Sequence, residues 1–170
     1  VIMLDPPLIM GKASLLFHTA KLFQPKLVDR MTPAGLSNRR RDHWESREQA
    51  GEMLRPKSLY QKFDDECFRA YLDYALTEDA ERGGVTLTIP KAAEVAIFRN
   101  TPSWWWLPMP KPKVPMHLVV GDQSEFLKHG FAQVAKKKVG IPFNVVEGGH
   151  MFPLERPEAT VELIKQLIQQ

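Results

Sequence analysis

One cysteine, Cys67, in 170 residues excludes an internal disulfide framework and suits a reducing compartment. With five histidines scattered along the chain and no cysteine pairs, the sequence also has no metal-binding cluster, and no metal is expected. No apolar run is long enough to cross a bilayer, so stable membrane insertion is not expected. Nothing near the start combines a basic flank, an apolar segment and a small-residue cleavage site. Charge is not strongly one-sided: 23 basic against 20 acidic residues leave a net charge of +3, which argues against a nucleic-acid partner. Basic residues bunch only at "NRRRDH" and "AKKKVG". The 44% hydrophobic content is enough for the core of an ordinary globular domain.

The chain opens on "VIMLDPPL", an apolar run halted by two prolines, which reads as a buried strand with Asp5 at its carboxyl end. A buried parallel strand needs neighbours on both sides, so the expectation is a C-terminal part of a larger domain. Residues 12 to 110 carry mostly helical and loop-like signals. "ASLLFHTAKLFQPKLVDRM" has helical spacing with a break at Pro25, and "MTPAGLSNRRRDHW" lacks periodicity and reads as a loop. Ser46 and Gln49 form a capping box ahead of a helix over about 47 to 55. Asp64 or Asp65 caps the strongest helix, with Phe68, Tyr71, Leu72 and Ala75 on one face. "VTLTIP" is a short alternating run, "KAAEVAIFRN" a short helix, and "TPSWWWLPMPKPKVP" a proline-punctuated connection.

From residue 111 the rhythm changes to strand, helix, strand, helix: "MHLVVG", "SEFLKHGFAQVAKKK", "PFNVV" and "PEATVELIKQLIQ". The last helix is expected to turn Val161, Ile164 and Ile168 inward. This alternation predicts the α/β class with a parallel sheet, divided as 1–11 core strand, 12–110 mostly helical insertion and 111–170 C-terminal core. Functional groups in such sheets gather beyond the carboxyl ends of the strands. That rule selects Asp5, the run from Gly121 to Glu125, and His150 in "VEGGHMFPLERP". A histidine there can move protons near neutral pH, and a carboxylate behind it can fix its tautomer.

"MHLVVGDQSEFL" and "VVEGGHMFPLERPEATVELI" resemble the acid loop and the histidine loop of the α/β-hydrolase fold family. "VIMLDPP" resembles the strand preceding the cap, and residues 43–98 are similar to the helical cap of a fungal-type subgroup that includes peroxisomal lipase-like and toxin-biosynthesis hydrolases. The resemblance implies a serine-hydrolase esterase or lipase-like enzyme acting on a small-molecule ester or acyl substrate, without cofactor. His150 would be the general base of the catalytic triad. Glu125 and Asp5 occupy the family's two alternative acid positions; Glu125 is preferred, and Asp122 is a third option. The family's G-x-S-x-G nucleophile elbow is absent, so the resemblance places the nucleophile before Val1 and predicts that these residues alone do not catalyse acyl transfer.

Blander roles compete with each assignment. Asp5 before two prolines can cap a turn, and Glu125 can serve as a first-turn helix acid. Glu155 suits loop support. Trp104, Trp105 and Trp106 could line an acyl pocket, although indoles at such a junction more often pack; Met151, next to the histidine, is placed to meet substrate. The alternative to an enzyme is a degenerate hydrolase-like module that associates through an unpaired sheet edge. "LIQQ" is not a Ser-Lys-Leu address, leaving cytoplasmic and peroxisomal locations open.

Overall fold

A computed structural model describes residues 1–169. Its elements in chain order are β1 (Ile2–Leu4), α1 (Lys12–Phe23), α2 (Pro25–Met31), α3 (Ala34–Arg39), β2 (His43–Trp44), α4 (Arg47–Leu54), α5 (Asp65–Tyr74), β3 (Leu76–Glu78), β4 (Val85–Leu87) and α6 (Lys91–Arg99). They continue with β5 (His117–Gly121), α7 (Glu125–Lys128), α8 (Phe131–Val139), β6 (Phe143–Val146), α9 (Phe152–Glu155) and α10 (Pro157–Ile168). The chain forms two compact units, one of residues 1–22 with 102–170 and one of residues 23–101. The division therefore falls at 22/23 and 101/102 instead of the expected 11/12 and 110/111. Most of α1 and the tryptophan segment belong with the C-terminal core.

The first unit is built on a parallel sheet in the order β1-β5-β6. Met3 pairs with Leu118 on one side of β5, and Leu118 pairs with Phe143 on the other. The central strand is apolar from Leu118 to Val120 and fully buried, as a strand covered on both faces must be. Leu118 packs with Met10, Ala135, Val139 and Ile141, and Trp105 and Met109 lie against this cluster. Full burial of a side chain such as Leu118 stabilises the fold by about 1.5–3 kcal/mol.

Two expectations fail in this unit. "SEFLKHGFAQVAKKK" is not one helix: the chain breaks at Gly130, whose φ of 74° is left-handed, and α8 starts afresh after it. The inward face predicted for α10 is largely open, with Val161 50% and Ile168 72% exposed and Thr160 its buried residue. Periodicity identifies an apolar face but not whether anything covers it.

The second unit carries an antiparallel sheet in the order β2-β4-β3. Neither β2 nor β3 is evident in the sequence, because strands of two and three residues are too short to show alternation. The segment read as a loop at 31–44 also holds helix α3, whose Ser37 donates to Glu94 of α6 at 2.9 Å while Arg40 pairs with the same carboxylate at 2.7 Å. These tertiary bonds stand in for the missing periodicity. The capping predictions hold: the Ser46 hydroxyl accepts from the Gln49 N–H at 3.2 Å, and Asp64 caps α5 through the N–H groups of Glu66 and Cys67. The Gln49 side chain reaches back to the Glu45 N–H, one residue earlier than a reciprocal box requires. Phe68, Tyr71 and Leu72 of α5 are only half-buried, and Tyr60 bridges to Tyr71 through their hydroxyls at 3.0 Å. Among the described residues, no helix is long and apolar enough to cross a membrane.

Candidate functional site

Asp5 follows β1 directly, and its backbone N–H donates to the Val119 carbonyl at 2.7 Å, which extends the pairing with β5 by one step. Its φ of 42° lies in the left-handed region, a conformation that aspartate tolerates better than most residues. Pro6 and Pro7 hold the chain beyond it. The carboxylate is buried and accepts a hydrogen bond from His150 Nδ1 at 2.8 Å. Its second oxygen, Oδ1, is buried with no hydrogen-bond partner among the described residues.

His150 comes from the loop after β6, on the same sheet edge. An ionised carboxylate only accepts, so the bond assigns the proton to Nδ1 and leaves Nε2 as the basic nitrogen when the ring is neutral. The side chain is half exposed, while that of Asp5 is fully enclosed. One end of the pair is therefore fixed and the other open to solvent. The ring also meets Phe126 edge-on, with centroids 5.3 Å apart.

The loop carrying His150 is fastened at several points. Asp122 accepts from the Gly148 N–H at 2.9 Å, and Glu155 accepts from the Gly149 N–H at 2.9 Å. The Gln123 N–H donates to the Gly148 carbonyl at 3.0 Å, and Arg156 pairs with Glu147 at the base. Gly121, the last residue of β5, lies flat under this loop; a Cβ there would fall within clashing distance of the Gly148 and Gly149 carbonyl oxygens. The dipeptide "GG" thus meets another glycine across the sheet edge.

Of the three acid candidates, only Asp5 bonds to His150. The preferred candidate, Glu125, is 69% exposed and accepts from Lys128 Nζ at 2.7 Å, a bond that holds its carboxyl below the ordinary range. Its position in the first turn of α7 turns it toward a local partner one turn on. Asp122 supports the loop instead of the ring, and Glu155 does the same.

The tryptophans separate. Trp105 is half-buried against the cluster around Leu118. Trp104 is 59% exposed and stands 4.2 Å from the His18 ring, and Trp106 buries an indole N–H with no partner among the described residues. Met151 is half-buried beside His150.

The residues that sequence reasoning missed are Phe126 and Pro6. They share the wall of a small apolar recess, with room for about one water molecule, with Leu8, Val120 and Phe131. Pro6 adjoins Asp5 in the chain, and Phe126 touches His150. Phe126 was legible only as the residue after Glu125 in the acid loop.

Four serines are engaged elsewhere: Ser124 caps α7 through the Phe126 N–H, Ser103 bonds His18 at 3.1 Å, and Ser37 and Ser46 are bonded in the second unit, while the Ser14 hydroxyl is buried with no hydrogen-bond partner among the described residues. Among the described residues, no serine hydroxyl bonds His150. No group of three or more metal-ligating side chains is present among them either.

Sequence comparison gives no match to a family model or to a curated protein. Solved structures do match. A peroxisomal α/β-hydrolase from Saccharomyces cerevisiae superposes with a TM-score of 0.69 at 16% identity, covering 98% of this chain and 44% of that one. E-2-(acetamidomethylene)succinate hydrolase gives 0.65 at 15% identity, covering 99% and 66%. The thioesterase domain from the curacin biosynthetic pathway gives 0.60 at 17%, covering 96% and 56%. The chain thus has the fold of α/β-hydrolases over part of their length, spanning from 44% to 66% of these structures.

Proposed function

We propose that this chain supplies the histidine and the acid of a serine-hydrolase-type acyl-transfer site acting on an ester or lipid-like acyl substrate. The observation that carries this reading is the bond from His150 Nδ1 to the buried Asp5 carboxylate at the carboxyl edge of a parallel sheet. His150 Nε2 would take the proton of an attacking hydroxyl and return it to the leaving group, while Asp5 fixes the tautomer and stabilises the imidazolium. Residues 23–101 are in this reading the family's inserted cap, and Trp104 and Met151 of the first unit are offered as substrate contacts. The nucleophile comes from polypeptide other than these 170 residues, so the isolated chain is inactive.

The test is hydrolysis of short p-nitrophenyl esters. The 170-residue chain should give no turnover above its His150→Ala variant. A longer polypeptide carrying an upstream G-x-S-x-G strand and turn should turn over, and lose that activity with either His150→Ala or Asp5→Asn. Robust turnover by the 170 residues alone that His150→Ala abolishes would defeat the assignment of an external nucleophile.

A second reading is favoured by a separate observation. β1 and β6 each pair on one side only, and Val145, Val161 and Ile168 are exposed, so the chain could act as a non-catalytic module that associates through its sheet edge. Sedimentation of the chain as a 19.5 kDa monomer across concentrations would count against it.

A further inference from the structure

Among the described residues, the His150 ring makes one hydrogen bond, to Asp5 at 2.8 Å, and one aromatic contact, to Phe126, with centroids 5.3 Å apart and ring planes at 64°. A single hydrogen bond pins Nδ1 alone. The ring can still pivot about that atom and carry Nε2 with it, and a half-exposed side chain on a loop has room to do so. Edge-on packing is directional, because the ring quadrupole sets a preferred angle as well as a distance. The hydrogen bond therefore fixes one atom of the imidazole, and the Phe126 ring limits its rotation.

Phe126 is itself held on three sides. Its N–H donates to the hydroxyl of the buried Ser124 at 3.2 Å. At the far end of the short helix α7, His129 Nδ1 donates to the Glu125 carbonyl at 2.7 Å. Gly130, left-handed at φ 74°, then turns the chain, and Phe131 is the first residue of α8 beyond it. That turn brings the Phe131 ring to 6.3 Å from the Phe126 ring, at 40°. Both rings share a wall with Leu118, Val120 and Ala132 around a recess with room for about one water molecule. The wall gives Phe126 little slack to retreat into. The same smallness leaves no space for an acyl chain, so the ring acts as backing for His150 and not as the lining of a ligand pocket.

We infer that Phe126 is a positioning residue for His150, holding the imidazole at the angle at which Asp5 bonds Nδ1 and Nε2 faces outward. The inference rests on the reading of His150 as the proton carrier of the proposed site. Proton transfer needs the basic nitrogen aligned with its donor as well as close to it. A ring free to pivot spends most of its time at angles that serve neither step.

The test follows the His150 Nδ1–H signal in ¹H–¹⁵N NMR spectra of the full 170-residue chain, at a pH where the ring is neutral, and measures its exchange with water. Phe126→Leu, or Phe126→Met if that chain does not fold, keeps most of the apolar volume and removes the ring. Exchange should quicken roughly two- to tenfold, the equilibrium factor that corresponds to one aromatic pair. Phe126→Tyr keeps the ring and should stay within about twofold of wild type. Phe143→Leu serves as the stability control, since Phe143 packs against the Leu118 cluster at the end of β6 away from the histidine loop. Its urea midpoint should fall while the exchange rate stays at the wild-type value. Wild-type exchange without the Phe126 ring, equal acceleration in Phe126→Tyr, or equal acceleration in Phe143→Leu would each overturn the proposal. The measurement needs no nucleophile, so it can fail while the longer polypeptide hydrolyses esters, and it can succeed while that assay fails.

Discussion

The Asp5 carboxylate and the His150 imidazole meet at 2.8 Å although they stand 145 positions apart in the sequence, one side chain enclosed and the other half open. That asymmetry has a chemical use. A buried carboxylate has few competing partners and so holds one ring nitrogen, while the exposed nitrogen stays available for proton exchange.

Asp5→Ala should release the ring. In ¹H–¹⁵N NMR spectra of the neutral histidine, the wild-type chain should show His150 protonated at Nδ1, and the variant should redistribute the proton toward Nε2. Glu125→Gln should leave the His150 spectrum unchanged, since Glu125 bonds to Lys128. A response to Glu125→Gln as large as that to Asp5→Ala would reverse the acid assignment.

Gly121→Ala places a methyl group against two carbonyl oxygens that belong to backbone and cannot swing away. Either β5 or the histidine loop must shift, at a cost of about 1–3 kcal/mol. Urea unfolding should show a lower midpoint with an unchanged slope. The His150 resonances should move as well, because the displaced loop carries the ring.

Asp122→Ala and Glu155→Ala each remove the acceptor for a loop N–H, at Gly148 and Gly149 respectively. Both sites are partly open to water, which limits each loss to on the order of 1 kcal/mol. Faster hydrogen exchange at the orphaned amide should report the change locally, without global unfolding.

In the second unit, Arg99 donates twice to Asp29 at 2.7 Å and holds its carboxyl below the ordinary 3.8. A group whose folded pKa is depressed adds stability above its unfolded pKa and loses it as pH falls through the folded value. Acid titration should therefore weaken this unit below about pH 4, and Asp29→Asn should flatten that limb. The comparison is circular dichroism at a fixed urea concentration across the acid range; an unchanged slope in Asp29→Asn would refute the assignment.

The legible parts of this protein are those where chemistry is local. Ser46 and Asp64 announce their helices because a cap bonds within three residues. β5 is readable because a short, wholly apolar run between turn signals fits a buried strand and little else. Asp5 and His150 stand out as candidates from strand ends, but their partnership does not, because it depends on which strand lies beside β5. Glu125 looks equivalent in sequence until the direction of α7 turns it toward Lys128. Helix α3 stays hidden because Glu94, far along the chain, supplies partners for Ser37 and Arg40. The openness of α10 is invisible for a related reason: a repeat of apolar residues encodes a face without encoding its cover.

Pairing Leu4 with Val119 closes a chain loop that contains the whole unit of residues 23–101. The entropy lost on closing a flexible loop grows only with the logarithm of its length, so doubling the loop costs about 0.6 kcal/mol more. The inserted unit can therefore be lengthened, shortened or exchanged with little effect on whether β1 finds β5. For folding rate the consequence is the opposite. The register that brings Asp5 to His150 joins distant parts of the chain, and it should be among the last contacts to form.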